Sequence, residues 1–265
     1  MTNENAGNDQ DDERLRAIIH SGGDIAGAAV GGALGFLAGG PGGAAAGGVG
    51  GVLAAETIKR IGSEAANRLL GPREKVRVGA AIAIASQHIR GRTERGERLR
   101  QDGFFENRHA GRSDAEEVAE SVLLRSQREA EERKVPYMAF LLGNIAFEQE
   151  ISAQLAHQIV KSAEQMTYRQ LCLMKIAALK ENYQLRVNDY RGQQQFRKEL
   201  YEVLYECLDL YNRGFVNFSG EVAFGPTDVN PGRMNLQAMG VDIFNLMGLA
   251  TIPSSDLEPI VAQLR

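Results

Sequence analysis

Residues 23–56 read GDIAGAAVGGALGFLAGGPGGAAAGGVGGVLAAE, and the 31 residues between Asp24 and Glu56 carry no charge. Gly23, Gly27, Gly31, Gly35, Gly39, Gly43, Gly47 and Gly51 recur at every fourth position, and Ala55 extends the series with the next smallest side chain. On an α-helix, residues four apart share one face, so this period lays a groove without side chains along a helix. A second backbone approaches such a groove closely, which matters most in lipid, where helix association rests on van der Waals contact. In water the same composition is a poor helix, because each Gly costs about 0.8–1.0 kcal/mol against Ala. A bilayer enforces helix upon it, since an unpaired backbone group in hydrocarbon costs several kcal/mol.

Gly39-Gly40-Pro41-Gly42-Gly43 interrupts the run with residues that break helices. The pattern therefore predicts a helical hairpin. Its first arm, Ala17 to Gly39, is long enough at about 1.5 Å per residue to cross a hydrocarbon core of about 30 Å. The second arm, Gly42 to Ala55, is short. Only Ile25, Val30, Leu34, Phe36, Leu37, Val49, Val52 and Leu53 supply apolar bulk, so insertion is expected to need oligomerisation or a trigger. A tightly packed soluble helical hairpin and a low-complexity linker are the competing readings, although a linker has no need of a strict period. Arg14 and Arg16 precede the hairpin, and Lys59, Arg60, Arg68, Arg73, Lys75 and Arg77 follow it. Under the positive-inside rule both ends stay cytoplasmic. The expectation is an inner membrane-associated protein with the bulk of its chain in the cytoplasm.

Working outward, residues 1–16 read as a disordered acidic tail, residues 17–70 as the glycine-zipper hairpin, residues 71–112 as a basic helical connector, and residues 113–265 as a helical domain with a winged-helix-like end. Within the connector, Val76 to Ile89 is a buried helix too short to span a membrane. It leads into Arg90, Arg92, Arg95, Arg98 and Arg100, interrupted by Glu94 and Glu97. Five arginines so close together are candidates for contact with phosphate or lipid headgroups, and the alternative is a solvated face of Glu–Arg pairs. Ser113 with Glu116 is a capping-box pattern opening a helix over Asp114 to Lys134. Tyr137 to Phe147 is nearly all apolar, Ser152 to Met166 is amphipathic, and Thr167 with Gln170 caps Tyr168 to Lys180. Short loops between such helices predict a bundle.

A further helix is expected over Arg191 to Asn212, then short strands at Gly214–Phe218 and Val222–Phe224 flanking Ser219-Gly220, a polar turn with Pro226 and Pro231, and helices at Gln237–Leu246 and Asp256–Leu264. The fold class expected is mainly α, with a small β-hairpin in winged-helix-like order. As a DNA reader this order is poorly equipped, because Arg191, Arg197 and Lys198 share their helix with Glu199, Glu202, Glu206 and Asp209, which oppose a phosphate surface.

The net charge of −4 gives no global field toward nucleic acid. Cys172 and Cys207 sit in apolar helical contexts, as small core residues of a reducing compartment. His20, His88, His109 and His157 are scattered, without metal-ligand spacing, and the glycine ladder lacks the Gly-Lys-Ser/Thr ending of a phosphate loop. No catalytic residue, cofactor or metal is therefore expected, and the chain reads as a non-enzyme.

The N-terminal ladder resembles glycine-zipper membrane hairpins. Leu141-Leu142-Gly143-Asn144-Ile145-Ala146, Thr167-Tyr168-Arg169-Gln170-Leu171 and the end near Gly240 to Gly248 resemble, over Val135 to Leu249, the abortive-infection alpha family of bacterial phage-defence proteins. Where a Thr is expected before the closing glycine helix, the chain instead reads Leu236-Gln237-Ala238-Met239-Gly240. The resemblance implies a bacterial cytoplasmic sensor or partner-binding domain and carries over no catalytic residues. Together these readings give a homo-oligomeric phage-defence effector whose hairpin inserts in or permeabilises the inner membrane, controlled or anchored by the Ser113 to Arg265 domain, through which a protein trigger or partner acts. The runner-up is a soluble winged-helix regulator binding nucleic acid.

Overall fold

The computed structural model describes residues 72–107, 111–193 and 195–265. The glycine ladder, Gly23 to Gly51, and the hairpin read from it lie outside the described residues. Among those described are α1 (Pro72–Glu94), α2 (Asp114–Arg128), α3 (Val135–Ile145), α4 (Ala153–Gln165), α5 (Tyr168–Ala178), α6 (Lys198–Asn212), α7 (Met239–Leu246) and α8 (Ser254–Gln263), with strands β1 (Val216–Asn217) and β2 (Asn235–Leu236). The protein is mainly helical with a small two-stranded antiparallel sheet. The chain divides into two compact units at Glu164 and Gln165, inside the stretch the sequence presents as one domain.

In the first unit α3 is buried almost all round, from Val135 to Ile145, as a helix apolar on every side must be. Its main neighbour is α1, whose Ala81, Ile82, Ala85 and Ile89 are buried. Gly143 makes the close approach possible, because a Cβ there would meet His88 Cδ2 at 3.0 Å and the Ala85 carbonyl at 3.4 Å. Residues 72–94, read as a connector, thus form part of this unit's core. The capping box at the start of α2 is present as the sequence predicts, with Ser113 accepting from the Glu116 N–H and Glu116 reaching back to the Ser113 N–H. After α2 ends at Arg128, a 3₁₀ turn over Glu132–Lys134 buries Lys134, whose Nζ donates to the Glu164 carbonyl at 3.0 Å and pairs with Glu129 at 2.6 Å.

In the second unit α5 is the central element. Leu171, Cys172, Leu173, Met174 and Ile176 are all buried, and the predicted capping box of Thr167 and Gln170 opens the helix. Lys175 is buried too, its ammonium donating to the carbonyls of Ala250 at 2.8 Å and Ile252 at 2.6 Å; burial lowers its pKa. Around α5 lie the inner face of α6 (Val203, Leu204, Cys207, Leu210), Ile243 and Leu246 of α7, and Leu257 and Val261 of α8. Each buried aliphatic side chain of this kind contributes about 1.5–3 kcal/mol. Burial pushes the Cys207 thiol up to about 12, so it behaves as a small apolar residue.

The sheet differs from its sequence reading. Val216 pairs with Leu236 and Asn217 with Asn235, whereas Val222–Phe224 forms no strand and only Phe218 bridges to Glu221. The turn between those two has Ser219 at φ 55° and Gly220 at φ 88°, the positive pair of a two-residue I′ turn. Helix α6 begins at Lys198, seven residues later than the pattern suggests, because Arg191 is held elsewhere by Asp228.

Candidate functional site

Between α5 and α6, and again between β1 and β2, the chain is rich in turn formers: Asn188-Asp189, Gly192, Gly225-Pro226 and Pro231-Gly232. Pro226 and Pro231 each open a 3₁₀ turn, Pro226–Asp228 and Pro231–Arg233. The two segments are bonded together. Gly232 N–H donates to the Arg186 carbonyl at 2.8 Å, Tyr190 N–H to the Thr227 carbonyl at 2.7 Å, and Asn230 Nδ2 to the Val187 carbonyl at 2.7 Å. Only glycine fits at 232, where a Cβ would lie 2.9 Å from that same Arg186 oxygen.

Asp228 is the hub. Its Oδ1 accepts from Arg191 Nε at 2.6 Å, while Oδ2 accepts the backbone N–H groups of Phe224 at 2.7 Å and Gly225 at 3.1 Å. The Arg191 hydrogen bond, with the two backbone donors and against a smaller opposing effect of burial, holds this carboxyl below the usual carboxylate range. Across the loop Glu221 pairs with Arg233. Arg186 stacks on the Tyr190 ring at 4.5 Å and donates to the Asp189 carbonyl at 2.9 Å.

These bonds fix the walls of a cleft of about 490 Å³ in the second unit, to which Asp189, Arg191, Glu221, Asp228, Asn230 and Arg233 contribute. That volume is in the range of small-ligand sites. Three carboxylates face two guanidinium groups, leaving one net negative charge. Val187 and Val222, 62% and 57% exposed, also line it, and Phe224, 87% exposed, stands on the loop that Asp228 pins. Single exposed apolar residues are ordinary, but three on one bonded pair of segments form an apolar rim.

The solvent face of α6 carries Tyr201 and Tyr205, 46% and 61% exposed, one turn apart and therefore neighbours, beside the exposed Glu202. Of the basic residues at this helix, Arg169 is tied to Glu206 at 2.8 Å, Lys198 to Glu202 at 3.8 Å and Arg213 to Asp209 at 3.7 Å.

The five arginines following Ile89 separate in the structure. Arg90 and Arg98 are exposed. Arg92 donates to Asn144 Oδ1 at 2.7 Å, pairs with Glu97 at 2.7 Å and stacks on Phe147 at 4.1 Å. Arg95 reaches Glu97 at 3.3 Å. Arg100 is buried, bidentate to Asp102, stacked on Phe104 at 4.1 Å and directed at the Ile145 carbonyl. Arg92 and Arg100 thus close the C-terminal end of α3, where cations complement the helix dipole. His88 joins the same cluster through Asn144 Oδ1 at 2.6 Å, and burial depresses its pKa despite that hydrogen bond.

Among the described residues no group of three His, Cys, Asp or Glu is arranged to hold a metal ion, and no helix is long and apolar enough to cross a membrane. The cleft residues, spread from Val187 to Arg233, have no motif spacing. Their only local signal is the density of Asn, Asp, Gly and Pro, which reads as loop. No family model, curated protein or solved structure matches the chain.

Proposed function

We propose that the chain is a non-enzymatic, bacterial, membrane-associated protein of the abortive-infection kind. In this reading the Ala17–Ala55 hairpin oligomerises in the inner membrane and permeabilises it, and the unit over residues 165–265 recognises the protein that controls it. The observation that carries the recognition role is the solvent face of α6. In the winged-helix-like order α5, α6, β1–β2, α7, this helix takes the place of a recognition helix, yet its exposed face offers two tyrosines and carboxylates, and its one exposed cation, Lys198, is paired with Glu202. Aromatic anchors of this kind are enriched in protein interfaces, whereas phosphate demands cations. The membrane role is supported by the ladder of eight glycines.

The test compares on-ladder and off-ladder leucine variants of the full chain, matched for expression, by membrane retention after fractionation. Gly31→Leu, Gly35→Leu and Gly47→Leu are expected to abolish retention, because each bulky side chain holds the facing helix away. Gly32→Leu and Gly48→Leu are expected to keep it, and Gly32→Ala and Gly48→Ala to be mild. Equal behaviour of the two sets would sink the hairpin. The alternative is a soluble regulator using Arg90 to Arg100 on nucleic acid, and it is favoured instead if the chain stays wholly soluble and binds DNA with a steep salt dependence.

A further inference from the structure

Helix α6 carries its charges in the reverse of the order its own dipole favours. Arg197 and Lys198 stand at its start, Glu202, Glu206 and Asp209 follow, and no basic residue occupies its last turn, whereas a helix favours anions at its N-terminus and cations at its C-terminus. The one acid of the first turn, Glu199, is two residues from Tyr201 and so lies on the other side of the helix. Lys198 and Glu202 form an i,i+4 pair at 3.8 Å in the weaker order, base before acid. Arg197 is exposed and has no ion pair among the described residues. Between these charges Lys198, Tyr201, Tyr205, Leu208 and Asn212 recur at the alternating spacing of three and four that lays a packing seam along a helix. Lys198, Tyr201, Tyr205 and Asn212 are exposed. The apolar surface does not end with the helix. All six large apolar residues exposed among the described residues lie in this unit, and the turn Pro226–Asp228, two residues beyond Phe224, packs on α6. Contiguous apolar surface of this kind marks an interaction site.

We infer that the seam of α6 packs against the same seam of a second copy of this chain, the two helices antiparallel about a two-fold axis level with residue 203. The inference rests on the reading of this face as a protein-recognition surface and names the partner. Charge order selects it. A two-fold contact uses one patch twice, so the patch must complement itself, and a helix basic at its start and acidic toward its end does so only when the second copy runs the other way. Arg197 and Lys198 of one copy then reach the level of Asp209 of the other, whose side chain is 41% exposed. About the same axis Tyr201 of each copy meets Tyr205 of the other, a pairing of aromatic rings common in interfaces. A parallel copy would set like charges side by side. A lipid surface is disfavoured because Glu202 and Asp209 oppose anionic headgroups, and nucleic acid is disfavoured for the same reason.

The full chain is tested in mild detergent with Gly35→Leu in place, so that the glycine ladder does not supply the association. Sedimentation equilibrium is expected to show a reversible dimer. Tyr201→Ser combined with Tyr205→Ser, two exposed positions, should weaken it about tenfold or more and leave the thermal unfolding temperature unchanged. Cross-linking reads the orientation. The chain has two cysteines, both buried, so an introduced surface cysteine supplies the reactive thiol. Under mild oxidation a mixture of Tyr201→Cys chains and Tyr205→Cys chains is expected to give the mixed disulfide in excess over either self-linked species. A monomer at every concentration overturns the inference, as does a dimer indifferent to the tyrosine changes. Predominance of self-linked species overturns the antiparallel pair. The recognition reading is tested apart from this, by membrane retention of the otherwise native chain carrying Tyr205→Ala. A monomeric chain whose retention responds to that change sinks the second copy and leaves the face to a different protein, and a monomeric chain without that response sinks both.

Discussion

Gly240 is the residue whose replacement has the most direct physical consequence. It lies in the first turn of α7, where a Cβ would sit 2.0 Å from the Phe215 carbonyl oxygen and 2.8 Å from its carbon. Ordinary contact begins near 3.4 Å, so in Gly240→Ala the helix start must retreat by about 1.4 Å from a backbone that cannot rotate away. The same oxygen accepts the Gln237 N–H at 3.0 Å, one residue beyond the Val216–Leu236 pair. Retreat therefore strains or breaks the bond that fastens the sheet to α7. A lost hydrogen bond at about 1 kcal/mol plus overpacking at about 1–3 kcal/mol, less a helix-propensity gain of up to about 1 kcal/mol, leaves about 1–4 kcal/mol of destabilisation. For a unit of this size that corresponds to roughly 4 °C or more in midpoint. Thermal unfolding of the full chain by circular dichroism measures it, with Gly192→Ala as reference, since nothing lies within 4 Å of a Cβ there. The neighbouring Ala238 has φ 44°, a backbone that strains an L side chain, so Ala238→Gly should be neutral or stabilising. Gly240→Ala melting with the wild type, or Ala238→Gly melting well below it, refutes the reasoning.

Lys134 and Glu129 form a buried pair, and Lys134→Ala removes the ammonium from the Glu164 carbonyl and from the Glu129 carboxylate, which keeps only the Glu131 N–H at 3.0 Å among the described residues. A loss of about 3–5 kcal/mol in urea unfolding is expected, with much of it restored in the double variant Lys134→Met, Glu129→Leu. The folded pKa of His88 is lowered, so the unfolded chain binds the proton more readily. Its contribution is present above the ordinary histidine value of about 6.5 and is lost as pH falls through the folded value. His88→Gln should flatten the decline in stability between neutral pH and about pH 5; an unchanged slope counts against it. Asp228 is likewise depressed, so its contribution is present above the unfolded carboxylate value of about 3.9 and fades as pH drops through the lower folded one. Asp228→Asn should remove that acid-dependent component and increase proteolytic cutting at the 224–225 loop, whose two N–H bonds it weakens; protection equal to the wild type would contradict this.

The helices were readable where short-range chemistry writes them. Ser113 with Glu116 and Thr167 with Gln170 mark two helix starts, and both boxes are formed. The apolar run after Pro136 is a buried helix for the same reason. What escaped reading depends on partners distant in sequence. Val222-Ala223-Phe224 is an apolar run after a turn, as a hairpin strand would be, yet β1 pairs with Asn235–Leu236 and leaves Val222 and Phe224 exposed. Within the arginine run, Arg92 and Arg100 are drawn to Asn144 and Ile145, about fifty residues away, which no local pattern announces. The cleft was illegible because its two segments, residues 186–191 and 221–233, are joined by bonds between residues far apart in sequence.

The separation of β1 from β2 in sequence carries a consequence for the order in which the second unit assembles. Residues 218–234 must be closed into a loop before the Val216–Leu236 pair can form, and closure entropy rises with that length. The I′ turn at Ser219-Gly220 forms early and locally, shortening the effective loop without pairing the strands. Contacts of high sequence separation come late in folding, and those joining Arg186, Val187 and Tyr190 to Gly232, Asn230 and Thr227 are of that kind. The cleft thus closes after the Ser219-Gly220 turn, as its bonds span about forty residues. Hydrogen exchange should find its amides protected for less time than those of α5.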